Sequence, residues 1–290
     1  MHLLIFLITY PFIRIVSIIP FSGIYFLSDS LSFLLHRIFK YRLKLVRCNL
    51  RLVFPEKSIN EIKDIEKEFY KHFADITIES IKAFGMSENQ MKSRCNYENI
   101  ELLKKIQNKK EKKNIIIICG HYSNFEWLLS IGYNLKGNGY GIFTPMTNKY
   151  FNKLFKKIRA KHKAYLVSRY KVKDFMSNLN PKKHYFFGFA ADQSPRKVNK
   201  SYFNYFLGHK VPIFTGAERF SKDYDLSVVF ADITRTKRGH YKTKFIEIID
   251  DKNTNYSITD QFLRLLESQI YRDPTQYFWT HNRFKHLRNN

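Results

Sequence analysis

Cysteine is scarce in this chain. Its 290 residues hold three, Cys48, Cys95 and Cys119, with no C-x-x-C pair and no repeated spacing. That usage fits a reducing compartment and argues against a disulfide framework or a zinc scaffold. Acidic residues are also few. Fifty Lys and Arg outnumber twenty-five Asp and Glu, a formal net charge of +25, so an anionic partner is expected: nucleic acid, a membrane surface, or an acidic protein or lipid. Nucleotide bias in a genome would by itself yield a chain heavy in Lys, Ile and Asn, yet the charge is unevenly placed. Residues 30–55 and 127–173 contain no acid at all, whereas a solvated helix face normally mixes signs.

Long apolar runs are missing too. The N-terminal stretch LLIFLITYPFIRIVSIIPFSGIYFL is interrupted by Pro11, Arg14 and Pro20. Its longest charge-free piece, residues 15–28, is shorter than the roughly 20 residues a bilayer core requires. It lacks an early basic region and an A-x-A site, so a removable signal peptide is not expected. A broken apolar helix followed by a basic one reads as an interfacial anchor, with a single span of residues 3–27 as the alternative. There is no HExxH, no P-loop and no G-x-S-x-G elbow. Internal repeats and Gly/Ser linkers are absent as well.

What is present has a clear order. Ser58 and Glu61 form a capping-box pattern, and Ile62, Ile65, Phe69, Phe73 and Ile76 follow at three- and four-residue steps. They predict an amphipathic helix to about Phe84, with Gly85 as its stop. From residue 114 the pattern changes. NIIIIC reads as a strand buried on both faces, FEWLLSIGYNL as helix, YGIFTPM as strand and KYFNKLFKKIRAKH as a basic helix. HYFFGFAADQ, LSVVFADITR and YKTKFIEII read as strands, and SITDQFLRLLESQIYR as a closing helix. The expectation is a helical, membrane-associating region over residues 1–90 and an α/β domain over 91–290.

Ligands of open α/β sheets gather beyond the carboxyl ends of strands. His121 stands just past one such end, and Asp192 with Gln193 just past another. Glu126 follows His121 with four residues between. On a continuous helix the two would not share a face, but they can meet if the histidine lies in a turn and the glutamate in the first helical turn. Imidazole would then take a proton from an attacking hydroxyl while the carboxylate fixes its tautomer. Ser123 and Glu126 are equally a capping box, in which Glu126 would only bond backbone N–H groups. Spacing leaves both readings open.

GHYSNFEW resembles the H-x4-D/E block of the glycerolipid and lysophospholipid acyltransferases. RCNLRLVFPEKS, SRYKV, FFGFAADQSP, YFLGHKVPIFTGAE and QYFWTHNRFK are similar, in order, to blocks of the bacterial lipid A (lauroyl/myristoyl) acyltransferases. The resemblance spans almost the whole chain. It implies a mixed β-sheet flanked by helices, with His121 as general base and Glu126 as its orienting partner. Arg169 would bind phosphate or developing negative charge, and Arg159, Asp192, Gln193 and Asn124 would line the substrate site. The family's tryptophan before the glutamate is Phe125 here. An acyl thioester, most naturally on acyl carrier protein, would donate to a hydroxyl of a lipid A precursor, with no metal or other cofactor. The place implied is the cytoplasmic face of the bacterial inner membrane. Another lipid acceptor (aminolipid, glycolipid or pigment), a hydrolase using the same dyad, and a nucleic-acid binder are the competing readings. Arg169 or backbone N–H groups could serve the oxyanion. His281 and Arg283 read as C-terminal packing.

Overall fold

The computed structural model describes residues 1–108, 114–195 and 201–287. Its first ninety residues are chiefly helical. Helix α1 (His2–Ile18) continues through Pro11, so the chain breaks only at Ile19 and Pro20, where α2 (Phe21–Phe33) begins. A π-helical turn, Leu34–Ile38, leads to α3 (Leu43–Val53) and the long α4 (Ile59–Lys82). The capping box forms as the sequence predicts. Ser58 Oγ accepts from Glu61 N at 3.3 Å, and Glu61 Oε2 accepts from Ser58 N at 2.8 Å, an arrangement contributing about 1 kcal/mol. A second capping box at Ser87 and Gln90 opens α5 (Glu88–Arg94) and was not anticipated.

Helix α4 ends at Lys82, short of Phe84, and Gly85 has a different use from the one expected. A Cβ there would lie 1.9 Å from the carbonyl oxygen of Ser17. Glycine is needed because α1 passes so close. Nearby, Lys82 Nζ donates to Ser17 O (2.9 Å) and Ile19 O (2.7 Å), putting a positive charge on the carbonyl end of α1.

The α/β part runs β1 (Cys95–Tyr97), α6 (Ile100–Gln107), β2 (Ile115–Cys119), a 3-10 helix (Trp127–Tyr133), β3 (Asn138–Phe143), α7 (Lys149–Lys161) and β4 (Ala164–Ser168). It continues with α8 (Val172–Ser177), β5 (Tyr185–Ala190), the antiparallel pair β6 (Tyr202–Phe206) and β7 (His209–Ile213), and α9 (Gly216–Asp223). Strands β8 (Ser227–Lys237) and β9 (His240–Ile248) precede α10 (Ser257–Arg272). Seven strands form one mixed sheet in the order β1-β9-β8-β2-β5-β3-β4, parallel except where β9 runs against β8. Every residue of β2 is buried, as an unbroken β-branched run requires. Ile116 and Ile118 face a core shared with α3, α4 and α10, while Ile115 and Ile117 face one shared with α1, α5 and α6. The N-terminal helices thus share both cores with the sheet, apart from a small cluster of Val16, Ile24 and Ile78.

Among the described residues no helix is long and apolar enough to cross a membrane. The outward side of α1 nevertheless exposes Leu4, Leu7, Ile8, Phe12, Ile15 and Ile18. Replacing Gly85 with alanine must push α1 away from α4. The expected loss is about 1–3 kcal/mol of stability, read as a lower midpoint in thermal unfolding.

Candidate active site

Strand pairing builds this site. Strands β2 and β5 lie side by side in parallel with Cys119 opposite Ala190, and Ala191 N–H donates to Cys119 O at 3.1 Å, extending the ladder. His121 and Asp192 each stand two residues beyond those paired ends, so they meet. His121 Nδ1 donates to Asp192 Oδ1 at 2.7 Å, and the backbone N–H of His121 donates to the same oxygen at 3.0 Å. A carboxylate only accepts, so Nδ1 carries the ring proton and Nε2 keeps its lone pair. Gln193 Nε2 donates to that Nε2 at 3.3 Å.

Burial disfavours charge on His121, but the Asp192 carboxylate, with a smaller effect from Glu126, outweighs it and leaves the imidazole above its ordinary pKa. Burial likewise opposes charge on Asp192. The histidine and its two N–H donors win, holding the carboxyl below its usual range.

Several expectations differ from the structure. Asp192, not Glu126, orients the imidazole. Glu126 Oε2 instead accepts from Arg159 Nε (3.2 Å) and Nη2 (2.5 Å). Arg159 is therefore already paired with a carboxylate through Nε and Nη2. The capping box at Ser123 does not form either. Ser123 has φ of 51°, a left-handed conformation costing about 1–2 kcal/mol for a residue with a Cβ. The cap is Asn124, whose Oδ1 accepts from Trp127 N at 3.1 Å while its Nδ2 donates to Glu79 Oε2 at 2.7 Å. At 1% exposure Asn124 does not line the cavity beside the turn.

Phe125 lays its edge on the His121 ring, with centroids 4.8 Å apart. Beside this turn opens a cavity of about 830 Å³, which includes His121, Glu126, Arg159, Arg169 and Gln193 in its lining. Its lining includes Leu129 and, on the neighbouring strands β3 and β5, Gly141 and Gly188. Sequence reading missed this wall, although glycines inside strands are a recognised sign of close approach. Arg169 is exposed at the lining, and among the described residues no carboxylate pairs with it. His281 and Arg283 pack under the adjacent loop, where His281 Nε2 accepts from Ser194 N (3.3 Å) and Arg283 Nη1 donates to Pro212 O (2.9 Å). Among the described residues, no three His, Cys, Asp or Glu are grouped to hold a metal ion.

The family model described as bacterial lipid A biosynthesis acyltransferase matches residues 2–286. The chain belongs to this family. It is an acyltransferase. A lipid A biosynthesis palmitoleoyltransferase of Escherichia coli (strain K12) is 21% identical over 278 residues, covering 92% of this chain and 86% of the relative. A lipid A biosynthesis acyltransferase of Haemophilus influenzae is 24% identical over 248 residues, covering 84% and 78%.

The geometry separates the two carboxylates by experiment. If neutral His121 is the base, activity rises with pH through its raised pKa. Asp192→Asn removes the larger anionic effect and leaves burial opposed only by Glu126, so the acid limb of the pH–rate profile should move to lower pH. The plateau should also fall by about 10²–10⁴-fold. Glu126→Gln should move the limb less, because its carboxylate exerts the smaller effect and is bonded to Arg159. A pH profile of kcat for the three proteins makes the comparison.

Proposed function

We propose that the acyltransferase moves a fatty acyl chain from an acyl-carrier-protein thioester to a hydroxyl of a lipid A precursor at a membrane surface, with His121 as general base. The observation that carries this reading is a clamped histidine whose unprotonated Nε2, accepting from the Gln193 amide at 3.3 Å, stands beside a large, partly apolar cavity. His121 Nε2 takes the proton of the acceptor hydroxyl as its oxygen attacks the thioester carbonyl. The tetrahedral oxyanion then collapses, the carbon–sulfur bond breaks, and the imidazolium returns the proton to the departing thiolate. An oxyanion in a partly dry site needs positioned donors. Arg169 and the Gln193 amide both line the cavity and could supply them, as could backbone N–H groups.

The charge pattern supports both partners. Helix α7 and the segment after it expose Lys153, Lys156, Lys157, Lys161, Lys163, Arg169, Lys171 and Lys173 in a stretch without acids. An acidic carrier protein or a phosphorylated lipid would be steered to such a face, less strongly at high salt. The aliphatic outer side of α1, with exposed Phe26 and Phe33 on α2 and the cations Arg37 and Lys40 beyond, suits a bilayer interface. Lipid A as acceptor draws its support from family membership and from the printed activities of the relatives.

In a reconstituted assay with acyl-carrier-protein donors and lipid A precursor in vesicles, His121→Ala should abolish transfer and leave the thermal midpoint nearly unchanged. A folded, active His121→Ala protein would end the proposal. The cavity makes a second prediction. A Cβ on Gly188 would meet Leu129 at 3.8 Å, an ordinary contact. Gly188→Ala should therefore fold, narrow the cavity and shift donor preference toward shorter chains in a competition assay.

A further inference from the structure

We infer that Glu79 is a positioning residue for this reaction, its carboxylate tying α2 to the turn that sets Phe125 and Glu126 around His121. The inference deepens the proposed function and rests on it for its kinetic consequence. Glu79 is fully buried near the end of α4. Oε2 accepts from Asn124 Nδ2 at 2.7 Å and from Tyr241 OH at 2.7 Å, and Oε1 accepts from Tyr25 OH at 2.9 Å. Its own backbone carbonyl accepts from Trp127 Nε1 at 3.3 Å. The two residues it grips, Asn124 and Trp127, bracket Phe125 and Glu126. A buried carboxylate is costly unless it is fully bonded. Burial lifts this one to about 7 despite its three donors.

The turn does need an external hold, because Ser123 sits in a left-handed conformation that no local hydrogen bond of its Oγ supports. Helix α2 supplies part of that hold twice. Tyr25 reaches Glu79, and Phe21 packs edge-on against Trp127 with centroids 6.5 Å apart. The residue after Tyr25, Phe26, is 74% exposed. The helix whose outer side suits a membrane thus has its inner side on the reactive turn, and the seating of α2 sets the order of residues 122–127.

Tyr25→Phe removes the bond to Oε1 and leaves Asn124 and Tyr241 in place. Glu79→Gln keeps the shape and removes the charge. With the full-length protein, acyl-carrier-protein thioester and vesicles containing lipid A precursor, kcat should fall about 3–10-fold in the first and about 10–100-fold in the second. KM for the donor should stay within about twofold. Thermal midpoint and sedimentation with vesicles should stay close to wild type in Tyr25→Phe, which decides the matter if Glu79→Gln folds poorly. Amide hydrogen exchange of residues 122–127, measured without substrate, should speed up about tenfold in Tyr25→Phe. Unchanged exchange and unchanged kcat in Tyr25→Phe would overturn the inference. So would a loss of activity that merely follows the loss of folded protein. A wild-type enzyme idle with this donor and acceptor contradicts the proposed function instead, and the exchange measurement still decides the role of Glu79.

Discussion

One carboxylate oxygen organises the site. Asp192 Oδ1 accepts from both the ring and the backbone of His121, so it fixes where the residue lies and which nitrogen bears the proton. Those two hydrogen bonds to one atom exist only because β2 and β5 pair in parallel with Cys119 opposite Ala190. The pairing in turn depends on the all-buried isoleucine run of β2, whose alternate side chains enter two different cores. A slip of one residue would exchange those cores and separate His121 from Asp192.

Around that contact the helices form a polar seam. Facing inward along α4, Glu66 bonds His36 and Arg47, Asp75 bonds Ser28 and Arg238, Glu79 bonds Tyr25, Tyr241 and Asn124, and Lys82 caps α1. Each group is satisfied by a specific neighbour, so the helices can pack in few alternative ways. Such seams act on specificity of packing more than on net stability. Here they tie the apolar N-terminal helices to the turn beside His121.

Much of this was legible in the sequence. Periodicity marked α4, an unbroken β-branched run marked β2, and strand ends marked His121 and Asp192. What failed did so for physical reasons. The charged positions of α4 look like a solvent face in one dimension, because nothing in a single sequence says that Arg238 or Tyr241 will arrive from the far end of the chain. The spacing of Ser123 and Glu126 matched a capping box, but the chain turns left-handed at Ser123 and gives the cap to Asn124. The family resemblance implied Glu126 as partner of His121, while sheet order brings Asp192 to it from 71 residues away. Strand β1 was missed because three residues are too few to show a pattern.

The central claim is that Asp192 holds His121 with its proton on Nδ1 and its lone pair on Nε2. Nitrogen-15 chemical shifts of the His121 ring, followed through a pH titration, read that state directly. The account predicts an Nδ1–H tautomer at high pH and a protonation midpoint above that of an ordinary histidine. A neutral ring protonated on Nε2, or a midpoint lowered by burial, would contradict it.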